Sequence, residues 1–440
     1  RGMKQVMVIG GGLAGCEAAW ALANSGIPVL LKEMKPQRYS PAHKNPGLGE
    51  LVCSNSLKAT RLISAAGLLK EEMRLMGSLV LACAGETAVS AGGALAVDRE
   101  KFSALMTEKI MAHPLITVER EEVTELPAED PVIVATGPLT SQALSDAIGK
   151  LCGERYLSFY DASAPIVTYE SLDHEKTFFA TRYERGDADY INCPFTQEEY
   201  ERFYEALITA KTVELKPFER EYFKVYEGCM PIEVMAKRGK DTIRFGPMRP
   251  VGIKDPRTGK RPWANLQLRR ENNEGTLYNI VGFQTNLLFP EQKRVFSMIP
   301  GLEHAEFARY GVMHRNTFLD SPRLLDGTFR LKERPGLRFA GQITGVEGYI
   351  ESAVSGIVAG RSLAVELRGG QAPVPAAETM TGALCRYISN PGVVDFQPMG
   401  SNMGILPALP EHIRSKEQRY QALAQRALEQ MKEYCEQTAL

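Results

Sequence analysis

The sequence predicts an α/β fold: a parallel-sheet domain assembled from both ends of the chain, with an α+β domain inserted between them. Three observations predict it. A short β-branched run, Gln5 to Ile9, enters the cluster Gly10-Gly11-Gly12-Leu13-Ala14-Gly15 and then a helical stretch. An apolar strand ends in Ala135-Thr136-Gly137. Far along the chain, Leu337 to Ala359 reads as another strand–glycine–helix unit.

The first segment is the most specific. Gln5 to Ile9 has the continuous apolar character of a buried parallel strand. The following glycines match G-x-G-x-x-G at Gly10, Gly12 and Gly15. The helix Cys16 to Ser25 is stopped by Gly26, and a second strand from Val29 ends at Glu33. That acid lies 18 residues past Gly15, near the expected spacing of about 20. Gly10 permits a tight turn, Gly12 lets backbone approach a pyrophosphate, and Gly15 lets helix and strand pack closely. The helix N-terminus offers N–H groups to phosphate, with Gly11, Leu13 and Ala14 completing the loop. Glu33 is placed to accept hydrogen bonds from ribose hydroxyls.

The other two segments favour FAD over NAD. The strand ending at Thr136 and Gly137 is similar to the one that returns beside the nucleotide in two-dinucleotide-fold flavoproteins. The C-terminal unit resembles the one that closes over the flavin, with Gly341, Gln342 and Gly348 in the closing turn. The expected architecture is thus a two-dinucleotide-binding-type, Rossmann-like FAD domain with an α+β insertion domain. Residues 1–154 and 306–440 form the FAD domain, and 155–305 the insertion. The second FAD segment includes a long C-terminal helix, Pro410 to Gln437. Within the insertion, Pro165 to Tyr169 reads as a strand. Thr196 to Thr209 reads as a helix with Thr196 and Glu199 spaced as a capping box.

Composition narrows the class. The chain has 440 residues, 44% hydrophobic and 24% charged, as in globular proteins, and a formal charge of −1. No global field draws it to nucleic acid or to a membrane. A basic partner site must be local, and one stretch supplies it. Lys237 to Arg270 holds eleven Lys or Arg against Asp241 and Asp255, with Phe245 and Trp263 among them. Charge interleaved with aromatics suits phosphate contact and base stacking, although a solvated basic loop has the same composition. No apolar run is long enough to span a membrane. The eight cysteines show no zinc spacing, so no metal is expected. Reduced thiols and a first strand without a secretory leader point to the cytoplasm. Cys53 and Cys229 lie in loop-like segments, GELVCSNS and YEGCMP, and are candidate nucleophiles.

Taken together, these segments resemble the bacterial folate- and FAD-dependent tRNA uracil-5-methyltransferases. The similar stretches include VIGGGLAGCEAAW, KNPGLGELVCSNSLKA, YFKVYEGCMPIEVMAKRG, DTIRFGPMRPVG, VGFQTNLLFPEQKRVFSMIPGLE, YGVMHRNTFLDSP and FAGQITGVEGYIESAVSG, spanning Val8 to Gly356. The resemblance implies methylation at C5 of the T-loop uridine of tRNA. It implies carbon from 5,10-methylenetetrahydrofolate, hydride from reduced FAD, and NADH or NADPH to reload the flavin. By the same similarity Cys229 adds to C6 of uracil and Cys53 assists as base, the order between them being open. A thiolate at C6 makes C5 nucleophilic, which an unactivated uracil is not. The resemblance places His314, Asn316 and Tyr349 in the folate pocket. The basic stretch, with Arg249 and Trp263, becomes the candidate tRNA contact. Other readings share the fingerprint: a flavoprotein acting on wobble uridine, a small-molecule FAD oxidoreductase, or a tRNA-binding protein without turnover.

Overall fold

A computed structural model describes residues 2–214, 230–272, 274–394 and 396–439, with the backbone alone at 158–161, 314 and 315. Val6–Ile9 is the central strand of a five-stranded parallel sheet. The order is Leu337–Phe339, Val132–Val134, Val6–Ile9, Val29–Glu33, Ile116–Arg120. The central strands read as apolar runs because helices cover both faces of such a sheet. Val6, Val8, Val132, Ile133 and Val134 are all buried. Each such side chain contributes roughly 1.5–3 kcal/mol by leaving water.

The helix Leu13–Asn24 lies against Tyr349–Leu367, which comes from the other end of the chain. Small residues make this possible. A Cβ on Gly356 would lie 2.1 Å from the Ala14 carbonyl oxygen. The backbones therefore meet without side chains between them, and the C-terminal unit is seated directly over the glycine turn.

A second lobe has its own core around Phe195, Phe203, Phe283 and Phe296. Its antiparallel sheet has six strands, ordered Phe178–Phe179, Ile191–Phe195, Ala264–Arg270, Leu277–Ile280, Ile166–Thr168, Phe307–Arg309. The helix Gln197–Thr209 packs on it and carries a complete capping box. The Glu199 amide donates to Thr196 Oγ1 at 3.2 Å, and the Thr196 amide to Glu199 Oε1 at 2.9 Å. An antiparallel ribbon, Tyr156–Ala162 with Met313–Leu319, carries the chain out of the first lobe and back. A smaller three-stranded sheet, Ser56–Ala59, Ala94–Val97 and Ala88–Val89, follows the Cys53 segment.

The C-terminal helix is shorter than its charge pattern predicts. It runs Lys416–Gln437, not from Pro410, because Ser415 caps it by accepting from the Gln418 amide at 3.3 Å. Among the described residues, no helix is long and apolar enough to cross a membrane.

Candidate active site

The glycine turn is shaped by what surrounds it. Gly10 sits at φ 106°, and a Cβ there would lie 2.3 Å from the Ala135 carbonyl oxygen. A Cβ on Gly15 would lie 1.7 Å from the Gly10 carbonyl oxygen. Both are therefore closed to any side chain by backbone. Gly12 differs: a Cβ there would meet nothing within 4 Å. It borders a cavity lined by Gly10 to Ala14, Glu33, Thr136, Gly137, Gly341, Gln342 and Tyr349. No side chain caps the helix that starts after Gly12, and its first turn holds no acid. Its leading N–H groups suit a phosphate. The Glu33 carboxyl lies at the end of its strand, its pKa raised by burial and held back by Lys35 and Arg120. Glycine backbone, helix N-terminus, acid and the closing turn thus fit a dinucleotide, and both ends of the chain supply them.

Cys53 sits where this cavity meets a clasped loop. Val52 lines the cavity, and Cys53 itself is half-buried. The Tyr349 hydroxyl accepts from the Cys53 amide at 2.8 Å and donates to the Ser54 carbonyl at 2.8 Å. Three arginines from three elements hold the rest. Arg99 donates to the carbonyls of Leu51 at 2.8 Å and Cys53 at 2.7 Å. Arg309 donates to the Val52 carbonyl at 2.6 Å. Arg269 donates to Asn55 Oδ1 at 3.2 Å. Glu271, itself buried, pairs with Arg99. Burial brings the Arg99 pKa down to about 10, still charged at neutral pH. Burial pushes the Tyr349 phenol up, so it stays protonated and able to donate. Three guanidiniums and one glutamate thus surround the backbone that carries Cys53.

A family model described as glucose inhibited division protein A matches residues 5–371. A curated relative from Heliobacterium modesticaldum is named methylenetetrahydrofolate--tRNA-(uracil-5-)-methyltransferase TrmFO. It is 58% identical over 98% of this chain and 97% of its own. The protein of the same name from Acetivibrio thermocellus is 58% identical over 98% of each. The one from Listeria welshimeri is 55% identical over 99% of each.

This chain belongs to the TrmFO family.

Among solved structures, GidA of Aquifex aeolicus superposes with a TM-score of 0.71 at 17% identity, covering 98% of this chain and 73% of its own. The two-lobed flavoprotein-like fold of the TrmFO-family chain is therefore shared with GidA.

The remaining residues singled out from sequence are scattered in this TrmFO-family chain. Cys229 lies outside the described residues, as does its loop from 215 onward. The His314 backbone pairs with Asp161 on the ribbon. Asn316 is buried two residues further along and is not among the cavity-lining residues. Gly348, at φ 110°, also stands back from the cavity, next to the Lys58–Glu351 ion pair. Gln342 lines the cavity and donates to Glu347 Oε1 at 3.2 Å. Arg249 is exposed on the second lobe. Trp263 is only partly exposed there, with the Arg244 guanidinium 3.6 Å from its ring centroid. Phe245, at 74% exposed, is the presented ring of that stretch. Sequence reasoning missed Arg99 and Arg309, and counted Arg269 with the surface charges. No motif marks them, because each comes from a different element.

Proposed function

We propose that this chain is a folate- and FAD-dependent tRNA uracil-5-methyltransferase acting on the T-loop uridine. The carrying observation is the seat of Cys53: a clasped loop, ringed by arginines, at the edge of a cavity that fits a dinucleotide, in a TrmFO-family chain. Gly12, Glu33, Thr136, Gly341 and Gln342 would hold FAD, which when bound and reduced by NADH or NADPH would supply the hydride that completes the methyl group. The carbon comes from 5,10-methylenetetrahydrofolate.

The chain's own residues do the rest. Cys229 adds as thiolate to C6 of the target uracil, so that the C5–C6 bond electrons become available at C5. C5 forms its bond to the folate-derived carbon as that carbon's bond to one of its two folate nitrogens breaks. Cys53, as thiolate, then accepts the C5 proton, and the electron pair left at C5 expels the second folate nitrogen from that carbon. Once the carbon has taken up hydride, the C6–S bond breaks and the ring recovers its double bond. The arginines and Tyr349 fix the backbone that presents Cys53. Tyr349 borders the folate, and the target base is turned out of its loop to reach the thiols.

The test is methyl transfer from labelled methylenetetrahydrofolate to an unmodified tRNA transcript, with FAD and NADPH. Label in 5-methyluridine, lost in Cys53→Ala and in Cys229→Ala, supports the reading. NADPH oxidation without label in tRNA sinks it.

A further inference from the structure

The second lobe presents a feature that the chemistry at Cys53 does not use. The turn Thr181 to Arg185 is laid over the segment Arg249 to Gly252. Arg182 donates to the carbonyls of Arg249 at 2.7 Å and Val251 at 2.8 Å. The Tyr183 amide donates to the Gly252 carbonyl at 2.8 Å. Tyr183 and Glu184 both sit in the left-handed region, at φ 58° and 53°. Such backbone costs of order 1–3 kcal/mol per residue and persists where surroundings impose it.

The strain holds Tyr183 outward. Its ring rests on bare backbone, since a Cβ on Gly252 would come within 3.0 Å of it. The ring nonetheless remains 58% exposed. Phe245, on the same loop run, is 74% exposed, and Val251 is 37% exposed. A soluble surface gains nothing by holding two rings in water. The charges around them are mostly positive. The Arg185 guanidinium lies 5.4 Å from the Tyr183 centroid, and the Arg244 guanidinium 5.7 Å from that of Phe245. Arg182 and Arg249 stand close enough to depress the Arg182 pKa, after burial, and Lys254 and Arg261 are exposed nearby in sequence. Glu184 and Asp187 are the exposed acids of the turn, and Asp241 lies 3.8 Å from Arg244.

Rings with an open face, flanked by guanidiniums, match unstacked bases joined by phosphates. An apolar protein partner would leave Arg185 and Arg249 without a counter-charge, and a lipid surface would not need aromatic faces held by strained backbone. The same segment also reaches the reactive loop. Asp189 accepts from the Gly92 amide at 2.8 Å, and Tyr190 hydrogen-bonds Arg269, the arginine that holds Asn55.

We propose that Tyr183 and Phe245, with Arg185 and Arg249, form an RNA-docking platform on which unstacked tRNA bases lie and through which tRNA is oriented toward the Cys53 loop. The inference rests on the methyltransferase reading for its substrate.

The test uses the full-length flavin-loaded protein and an unmodified tRNA transcript, with binding followed by fluorescence anisotropy across a series of KCl concentrations. Tyr183→Ala is expected to weaken binding roughly 5- to 150-fold, the range for one lost base–aromatic stack. Tyr183→Phe is expected to bind like the parent, because the ring face is kept. Arg249→Gln is expected to reduce the salt slope by about 1. NADPH-driven flavin reduction is expected to be unchanged in each, which separates a docking defect from misfolding. Parental binding by Tyr183→Ala and Phe245→Ala together would overturn the platform, as would binding to phosphatidylserine vesicles with none to tRNA. Failure of the two proposals is distinguishable. A parent that binds tRNA through Tyr183 but makes no 5-methyluridine retains the platform and loses the reaction. A parent that methylates while both variants bind normally does the reverse.

Discussion

Tyr349→Phe separates two roles for one side chain. By resemblance the ring borders the folate, and in the structure the hydroxyl clasps the Cys53 loop. The substitution deletes one oxygen and leaves the ring. The Cys53 amide then loses its acceptor, and the Ser54 carbonyl its donor, both at 2.8 Å. Stranding partly buried polar groups costs about 1–3 kcal/mol. That cost falls on local opening of the loop, not on global unfolding of a two-lobed protein. It corresponds to roughly 5- to 150-fold faster hydrogen exchange at the Cys53 amide. Exchange measured by mass spectrometry on the flavin-loaded protein reads this directly. Methyl transfer should fall, while flavin content stays the same because the ring still lines the cavity. Unchanged exchange and turnover in Tyr349→Phe, with faster exchange and lost turnover in Tyr349→Leu, would refute the clasp and assign the residue's role to its ring.

Gly15→Ala should deplete bound flavin, because the new methyl would sit 1.7 Å from the Gly10 carbonyl oxygen and force the turn to move. Overpacking of this kind costs about 1–3 kcal/mol or more, and the ratio of flavin to protein absorbance after purification checks it. Glu17 is buried, with its pKa pushed by burial from 4.5 to about 8, and its carboxyl accepts from Ser78 Oγ and the Val80 amide. A carboxyl whose folded pKa lies above its unfolded value keeps a proton that the unfolded chain releases. Its stabilisation is thus full below the unfolded pKa and is lost as pH rises toward about 8. Glu17→Gln keeps an acceptor oxygen and should flatten the melting temperature between pH 5 and pH 8; parallel profiles for parent and variant would count against the shift.

The sequence by itself determined the parts whose chemistry is local. The glycine turn was legible because Gly10 and Gly15 have no room for a side chain, and backbone constraint leaves a mark in residue identity. The central strands were legible because burial on both faces demands continuous apolar runs. The capping box of Gln197–Thr209 was legible because both partners sit within four residues. Resemblance, not spacing, supplied the roles of Cys53 and Cys229. What only the tertiary structure decided was the company that distant residues keep. Arg99, Arg269 and Arg309 converge on one loop from three elements, and no local pattern encodes a convergence over such separations. The same holds for the Tyr349 hydroxyl, whose partners lie nearly three hundred residues away in sequence. Within the basic stretch, composition could not tell which ring is covered by Arg244 and which faces water, because burial depends on what packs from elsewhere. Local geometry is written in residue type, while the electrostatics of the site come from long-range packing that the sequence specifies only through the whole fold.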